Sequence, residues 1–202
     1  MSCPQMLSLL LVSGTTMRLN VFVMVPASKV CDGVLAGYRI GTYPEPLRAT
    51  RADRTPPRGF VEVTEENQFT PIGPHFSLRQ VLCKQGGSFP KYVVVEERLI
   101  LLLERILDRL QELGHPAATL DFISGYRTPF YNESIGNVSG SRHQWGDAAD
   151  VYVDARPRDG IIDDMNGDGR RDIGDARTLY DIIDCLDGPR DSFQGGLGLY
   201  GQ

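Results

Sequence analysis

His143 and Asp150 stand seven residues apart in "SRHQWGDAAD", Ser141 to Asp150, with Gly146, Ala148 and Ala149 between them. Imidazole and carboxylate are the ligand types that hold zinc in hydrolytic sites, where three protein ligands leave one position for a water to be activated. Gly146 permits a backbone conformation that a side chain forbids, and the alanines leave space, so a bend in the intervening chain can turn both heads toward one point. The same spacing also describes a surface pair, or a hydrogen-bonded core histidine beside a strand.

A second group of oxygens lies in "DMNGDGRRDIGD", Asp164 to Asp175. Asp164, Asn166, Asp168, Asp172 and Asp175 occupy positions one, three, five, nine and twelve of an EF-hand-type or dockerin-like calcium loop. Gly169 is at the sharp turn, and the Arg170 carbonyl is available at position seven. Hard oxygen ligands at this density repel one another without a cation. Arg171 departs from the pattern at position eight, where an apolar residue usually packs inward, and position twelve is the Asp of dockerin-like loops rather than Glu. The alternative is an Asp/Gly-rich surface turn held by side-chain to backbone hydrogen bonds.

The elements that must position these residues follow from periodicity. Between Val95 and Leu113, Leu99, Leu102, Leu103, Ile106, Leu107, Leu110 and Leu113 recur at spacings of three and four and predict one scaffolding helix. Gly114 supplies its left-handed cap, and Pro116 forbids continuation. His75 to Cys83 reads as a short amphipathic helix capped by Ser77. "LDFIS", Leu120 to Ser124, and "AADVYV", Ala148 to Val153, read as strands, the second entered by the loop that carries His143 and itself carrying Asp150, and Ala176 to Leu186 reads as a helix. "LNVFVMV", Leu19 to Val25, is short and rich in β-branched residues, which predicts a buried strand. Prolines 44, 46, 56 and 57 exclude a long helix or central strand in the stretch around them. The chain therefore divides into an irregular, β-containing region over 1–71 and a domain over 72–202, with the calcium-type insertion at 159–176.

The 21 basic and 26 acidic residues leave a net charge of -5 without a basic stripe, so the electrostatic footprint of a nucleic-acid binder is missing. No apolar run approaches the roughly 18 residues that cross a bilayer. The opening "MSCPQMLSLLLVSG" has no basic n-region or clear cleavage site and reads poorly as a signal peptide. Cys3, Cys31, Cys83 and Cys185 form no CxxC pair; two disulfides and four thiols both fit.

"SGYRTPFYN", Ser124 to Asn132, followed by SxHxxGxAxD, resembles the zinc D,D-peptidases, which cut D-alanyl and related bonds of bacterial cell-wall peptides; "HFSLRQVLCK" upstream is similar to the opening segment of that family. The likeness covers roughly residues 72–202. It implies an α+β fold of the hedgehog/D,D-peptidase type, an antiparallel sheet with flanking helices. It implies that His143 and Asp150 bind zinc, that Arg127 faces the scissile carbonyl and stabilises developing negative charge, and that Ser141 and Tyr126 contact substrate. The alternative for Arg127 is a structural salt bridge anchoring the turn; for Tyr126 and Trp145 it is packing or a pocket wall.

Family members take a third zinc ligand from a histidine after the glycine-rich "GGLG" strand and a general base from an acidic residue near it. The sequence stops at Gln202 before such a segment, and neither His75 nor His115 matches it. The expectation is a truncated stretch of a longer enzyme whose two-ligand site is catalytically poor as it stands.

The resemblance implies a zinc- and calcium-dependent metallopeptidase working on peptidoglycan stem peptides, as carboxypeptidase or endopeptidase, in the periplasm or outside the cell. Two other readings stand beside it. One is a non-catalytic cell-wall or protein-binding module on the same fold. The other places the function in the N-terminal region, binding a glycan or a partner.

Overall fold

Apolar side chains gather on two sides of one small sheet, and the rest of the molecule is built outward from it. The computed structural model describes residues 5–10, 16–45, 55–115, 117–186 and 196–200. In chain order the elements are β1 (Gln5–Leu10), β2 (Thr16–Val21), β3 (Val25–Pro26), β4 (Val34–Leu35), β5 (Tyr38–Arg39), β6 (Gly59–Val63), α1 (Leu78–Val81), β7 (Lys91–Val93), α2 (Glu97–Glu112), β8 (Asp121–Ser124), α3 (Pro129–Ser134), β9 (Asp150–Tyr152) and α4 (Ile173–Asp184). The described residues form a mixed α+β architecture of four α-helices with small antiparallel sheets, ordered β1-β2, β3-β6-β7, β4-β5 and β8-β9.

Strands β6 and β7 pair with Val61 opposite Val93 and Glu62 opposite Tyr92. Because alternate residues of a strand face opposite ways, Val63 and Val93 enter one core while Phe60 and Tyr92 enter the other. The larger core includes Phe76, Leu78, Val81, Leu107, Leu110, Leu120 and Tyr126; the smaller joins Leu35, Tyr38 and Ile40 to Phe60 and Tyr92. β6 precedes residue 72 and β7 follows it, so this sheet joins the N-terminal region to the rest.

The predicted long helix is α2. It buries Ile100, Leu103, Ile106, Leu107 and Leu110, with Leu99 and Leu102 packed partly buried against the same core, while Leu113 is 44 % exposed; the expected face gains Ile100 and loses its last residue. At its end the His115 amide donates to Leu110 O at 2.8 Å and the Gly114 amide to Gln111 O at 3.1 Å. That pair of bonds closes a Schellman motif and requires the left-handed φ of +83° at Gly114. The short helix after Ser77 is α1, stopped by Leu82 in extended conformation; Gln80 Oε1 accepts the Ser77 amide at 2.8 Å.

Leu19 to Val25 does not form one buried strand. β2 pairs with β1 only as far as Val21, opposite Gln5, and β3 pairs with β6 from Val25. Between the two the chain changes partners, leaving Val23 and Met24 more than half exposed. β-branched content alone could not show that the segment serves two sheets. The other two predicted strands are shortened to β8 and β9, and the C-terminal helix begins earlier than expected, at Ile173, because Asp172 caps it. Cys31, Cys83 and Cys185 are free thiols; Cys3 lies outside the described residues.

Candidate metal centre

β8 and β9 hold the site. Their register runs Phe122 to Val151 and then Ser124 to Asp150, so Ile123 is an extra residue in β8. Such a bulge re-aims the side chains after it, and here it sets Ser124 beside the start of β9. The chain then passes through Gly125, where a Cβ would stand 2.8 Å from the Val81 backbone. Only glycine fits between α1 and this turn. The Tyr126 amide donates to Val81 O at 2.9 Å, and the Arg127 amide to His143 O at 3.1 Å. Thr128 caps α3 by accepting the Tyr131 amide, with Pro129 in the first turn. The "GYRTP" stretch is thereby a rigid corner.

His143 belongs to a 3-10 helix, Arg142–Trp145, that starts from Ser141 and ends at Gly146 with φ +70°. A Cβ on Gly146 would collide with the Val94 carbonyl, so this turn reaches its position only as glycine. The Glu96 amide then donates to Gly146 O at 3.0 Å, docking the turn onto the approach to α2.

The imidazole is buried, 7 % exposed, and its Nδ1 lies 2.7 Å from Gly125 O. A carbonyl has no proton, so Nδ1 donates. Nε2 faces Asp150 Oδ1 at 3.4 Å. Either a proton shared across that gap or a cation standing between the two acceptors makes the contact attractive. A tetrahedral zinc with bonds near 2.0–2.1 Å separates its ligand atoms by about 3.4 Å, so the spacing and donor types fit that ion. The Gly125 carbonyl is the outer-shell acceptor that metal-bound histidines commonly use.

Arg127 donates through Nε to Ser124 Oγ at 2.7 Å and through Nη2 to Asp150 Oδ2 at 2.7 Å. Its guanidinium is therefore turned onto the carboxylate; this is the salt-bridge geometry, and it leaves Asp150 Oδ1 directed at His143. Burial pushes the Asp150 carboxyl up, but the hydrogen bond and charge of His143, with the charge and hydrogen bond of Arg127, hold it below the usual carboxylate value.

Ser141 is buried at the foot of the 3-10 helix. Tyr126 is 1 % exposed and belongs to the larger core, a place for packing rather than for contact with a substrate. Trp145 stacks edge-on against Tyr43 at 5.7 Å and donates to Thr55 O. Among the described residues no group of three or more His, Cys, Asp and Glu side chains is placed to hold a metal. His75 pairs with Glu104 at 2.5 Å, and His115 follows the end of α2.

Three participants carried no signal in the spacing: Tyr43, Gln144 and the Gly125 carbonyl. Tyr43 Oη lies 2.9 Å from Tyr126 Oη and 3.0 Å from Gln144 O. Gln144 in turn donates to Ser139 O at 2.7 Å. A backbone acceptor has no identity in a sequence, and Tyr43 is a hundred residues from the atom it meets.

In the Asp164–Asp175 loop the carboxylates accept the loop's own amides. Asp164 takes those of Gly167 and Gly169, each at 2.8 Å. Asn166 Oδ1 accepts from Asp168, and Asp168 Oδ1 from Arg170. Asp172 accepts the Gly174 amide as the cap of α4. Asp175, fully buried, accepts the amides of Met165 and Asp172 at 2.7 Å each. Arg171, the residue out of pattern, pairs with Asp159 at 2.7 Å.

Compared with known protein families, curated proteins and solved structures, the chain matches none. Among the described residues no helix is long and apolar enough to cross a membrane.

Proposed function

We propose that this chain carries the zinc-binding part of a D,D-peptidase of the hedgehog/D,D-peptidase fold, acting on D-amino-acid peptide bonds of bacterial peptidoglycan outside the cytoplasmic membrane. The supporting observation is the facing of His143 Nε2 and Asp150 Oδ1 across 3.4 Å with Nδ1 already donating to Gly125 O. A zinc ion bound there would lower the pKa of a water and polarise a scissile carbonyl.

The protein's own residues prepare for that ion. Gly125 O selects the tautomer that leaves Nε2 able to ligate. His143 and Arg127 together hold Asp150 ionised, and the Arg127 bond to Oδ2 leaves Oδ1 facing His143, so the guanidinium charge acts through the carboxylate. Ser124 fixes the guanidinium in turn. In this reading the loop Asp164–Asp175 takes a structural calcium ion that stiffens the insertion behind β9, with its oxygens exchanging loop amides for the cation.

The decisive experiment uses the full chain: stoichiometric zinc uptake, followed by release of D-alanine from cell-wall stem peptides. Zinc-dependent release, abolished by His143→Ala, is expected. Stoichiometric zinc without hydrolysis of any stem peptide would move the chain to the non-catalytic binding class. Failure to take up zinc at all would make His143 and Asp150 an ordinary ion pair.

A further inference from the structure

We infer that Tyr43, contributed by the region before residue 72, is a positioning residue for the His143/Asp150 pair. The inference rests on the metal site proposed above and extends it to a side chain outside the segment that resembles a peptidase.

One phenolic hydroxyl carries one proton. Tyr43 Oη is 3.0 Å from Gln144 O, which can only accept, so the Tyr43 proton is committed there. Tyr126 Oη, 2.9 Å away, must then be the donor to Tyr43. The Tyr43 oxygen thus bridges two segments that share nothing in sequence. Gln144 follows His143 directly in the 3-10 helix. Tyr126 sits between Gly125, whose carbonyl receives His143 Nδ1, and Arg127, whose guanidinium holds Asp150. A single oxygen therefore spans both ends of the bond that aims the imidazole.

The bridge is sheltered. Burial raises the Tyr43 phenol far above its ordinary range, with the Tyr126 bond only partly opposing it, and burial does the same for Tyr126. Both hydroxyls thus remain protonated donors across the range in which a hydrolase works. The ring of Tyr43 is held independently by Trp145 at 5.7 Å and Phe60 at 6.5 Å. At the same corner, the Phe130 amide donates to Ile40 O at 3.0 Å, and a Cβ on Gly41 would stand 2.5 Å from Phe130 N. Residues 40–43 are pressed against α3 and the site rather than appended to them.

Tyr43→Phe tests this, because it keeps the ring contacts and removes one oxygen. In the full chain, the zinc dissociation constant of Tyr43→Phe should rise on the order of tenfold, the lower end of what outer-shell losses cost. Tyr38→Phe, a deletion of a buried hydroxyl in the smaller core, should leave it unchanged. An unchanged constant for Tyr43→Phe, or an equal loss in Tyr38→Phe, overturns the inference. A readout without metal separates it from the functional reading: the His143 ring nitrogen shifts, which report the Nδ1 bond to Gly125, should move in metal-free Tyr43→Phe and stay in place in Tyr38→Phe. If wild-type protein takes no zinc, the peptidase reading falls, while these shifts still decide the role of Tyr43. Should Tyr43→Phe fail to fold, Tyr126→Phe removes the donor side of the bridge and must produce the same displacement; fixed shifts in that variant refute the role.

Discussion

His143 Nδ1 lies 2.7 Å from the carbonyl of Gly125, and that one bond decides what the other face of the imidazole can do. With Nδ1 donating, the 3.4 Å between Nε2 and Asp150 Oδ1 has room for a proton or a small cation, and either makes the contact attractive.

Removing the carboxylate charge should cost stability even without metal. Arg127 and Asp150 have side chains only 11 % and 17 % exposed, and loss of one partner strands the other. Asp150→Asn is expected to destabilise the metal-free protein by about 3 kcal/mol, the low end for breaking a buried pair, and to abolish zinc uptake. Urea denaturation and calorimetric titration measure the two effects; full stability with normal zinc uptake would contradict both roles.

Gly146→Ala should be among the most damaging single-atom additions. The residue has φ +70°, and its new methyl meets the Val94 carbonyl. Strain and overlap together should cost on the order of 3 kcal/mol. Gly136→Ala makes a useful comparison, with φ +69° and nothing within 4 Å of its Cβ; it should lose only the conformational part, about 1 kcal/mol. Equal losses at the two positions would show that the Val94 contact contributes nothing.

Alkaline pH should unfold the protein through its buried phenols. Burial raises the ionisation of Tyr38, Tyr43 and Tyr126 above that of a free tyrosine. Protons are then held more tightly in the native state, so this contribution to stability is complete below about pH 10 and declines as pH rises toward the native values. Each phenol that ionises only after unfolding removes about 1.4 kcal/mol per pH unit. Phenolate absorbance should therefore show a late phase coincident with loss of circular dichroism. Ionisation of all tyrosines near pH 10 in a folded protein would disprove it.

Asp175→Ala should destabilise α4 whether or not calcium is present. The carboxylate is fully buried and receives the Met165 and Asp172 amides at 2.7 Å. Leaving them without an acceptor is expected to cost about 3 kcal/mol. Millimolar calcium should raise the melting temperature of the wild type, and Asp164→Ala should remove that increment. A calcium-induced rise that persists in Asp164→Ala would place the ion elsewhere.

Local chemistry was legible from residue order alone. The apolar period of α2, its Gly114 cap, the Ser77 helix start and the glycine at 146 are properties of a few neighbouring residues, because capping, propensity and forbidden backbone angles act over one or two turns. Of the candidate centre, His143, Asp150 and Arg127 stand out in the sequence through a motif resemblance, whereas Tyr43, Gln144 and the Gly125 carbonyl do not stand out at all. The loop residues Asp164 to Asp175 could also be picked out, since their pattern is a spacing.

Tertiary structure decided the rest. The segment from Leu19 to Val25 reads as one strand but serves two sheets, because strand pairing depends on partners distant in the chain. Arg127 turns toward Asp150 and Ser124 because a bulge at Ile123 brings β8 and β9 into that register. Tyr43 reaches Gln144 because a sheet shared by β6 and β7 folds the N-terminal region back over the corner. Such contacts are set by packing between surfaces far apart in the chain, and no local spacing encodes where two surfaces meet.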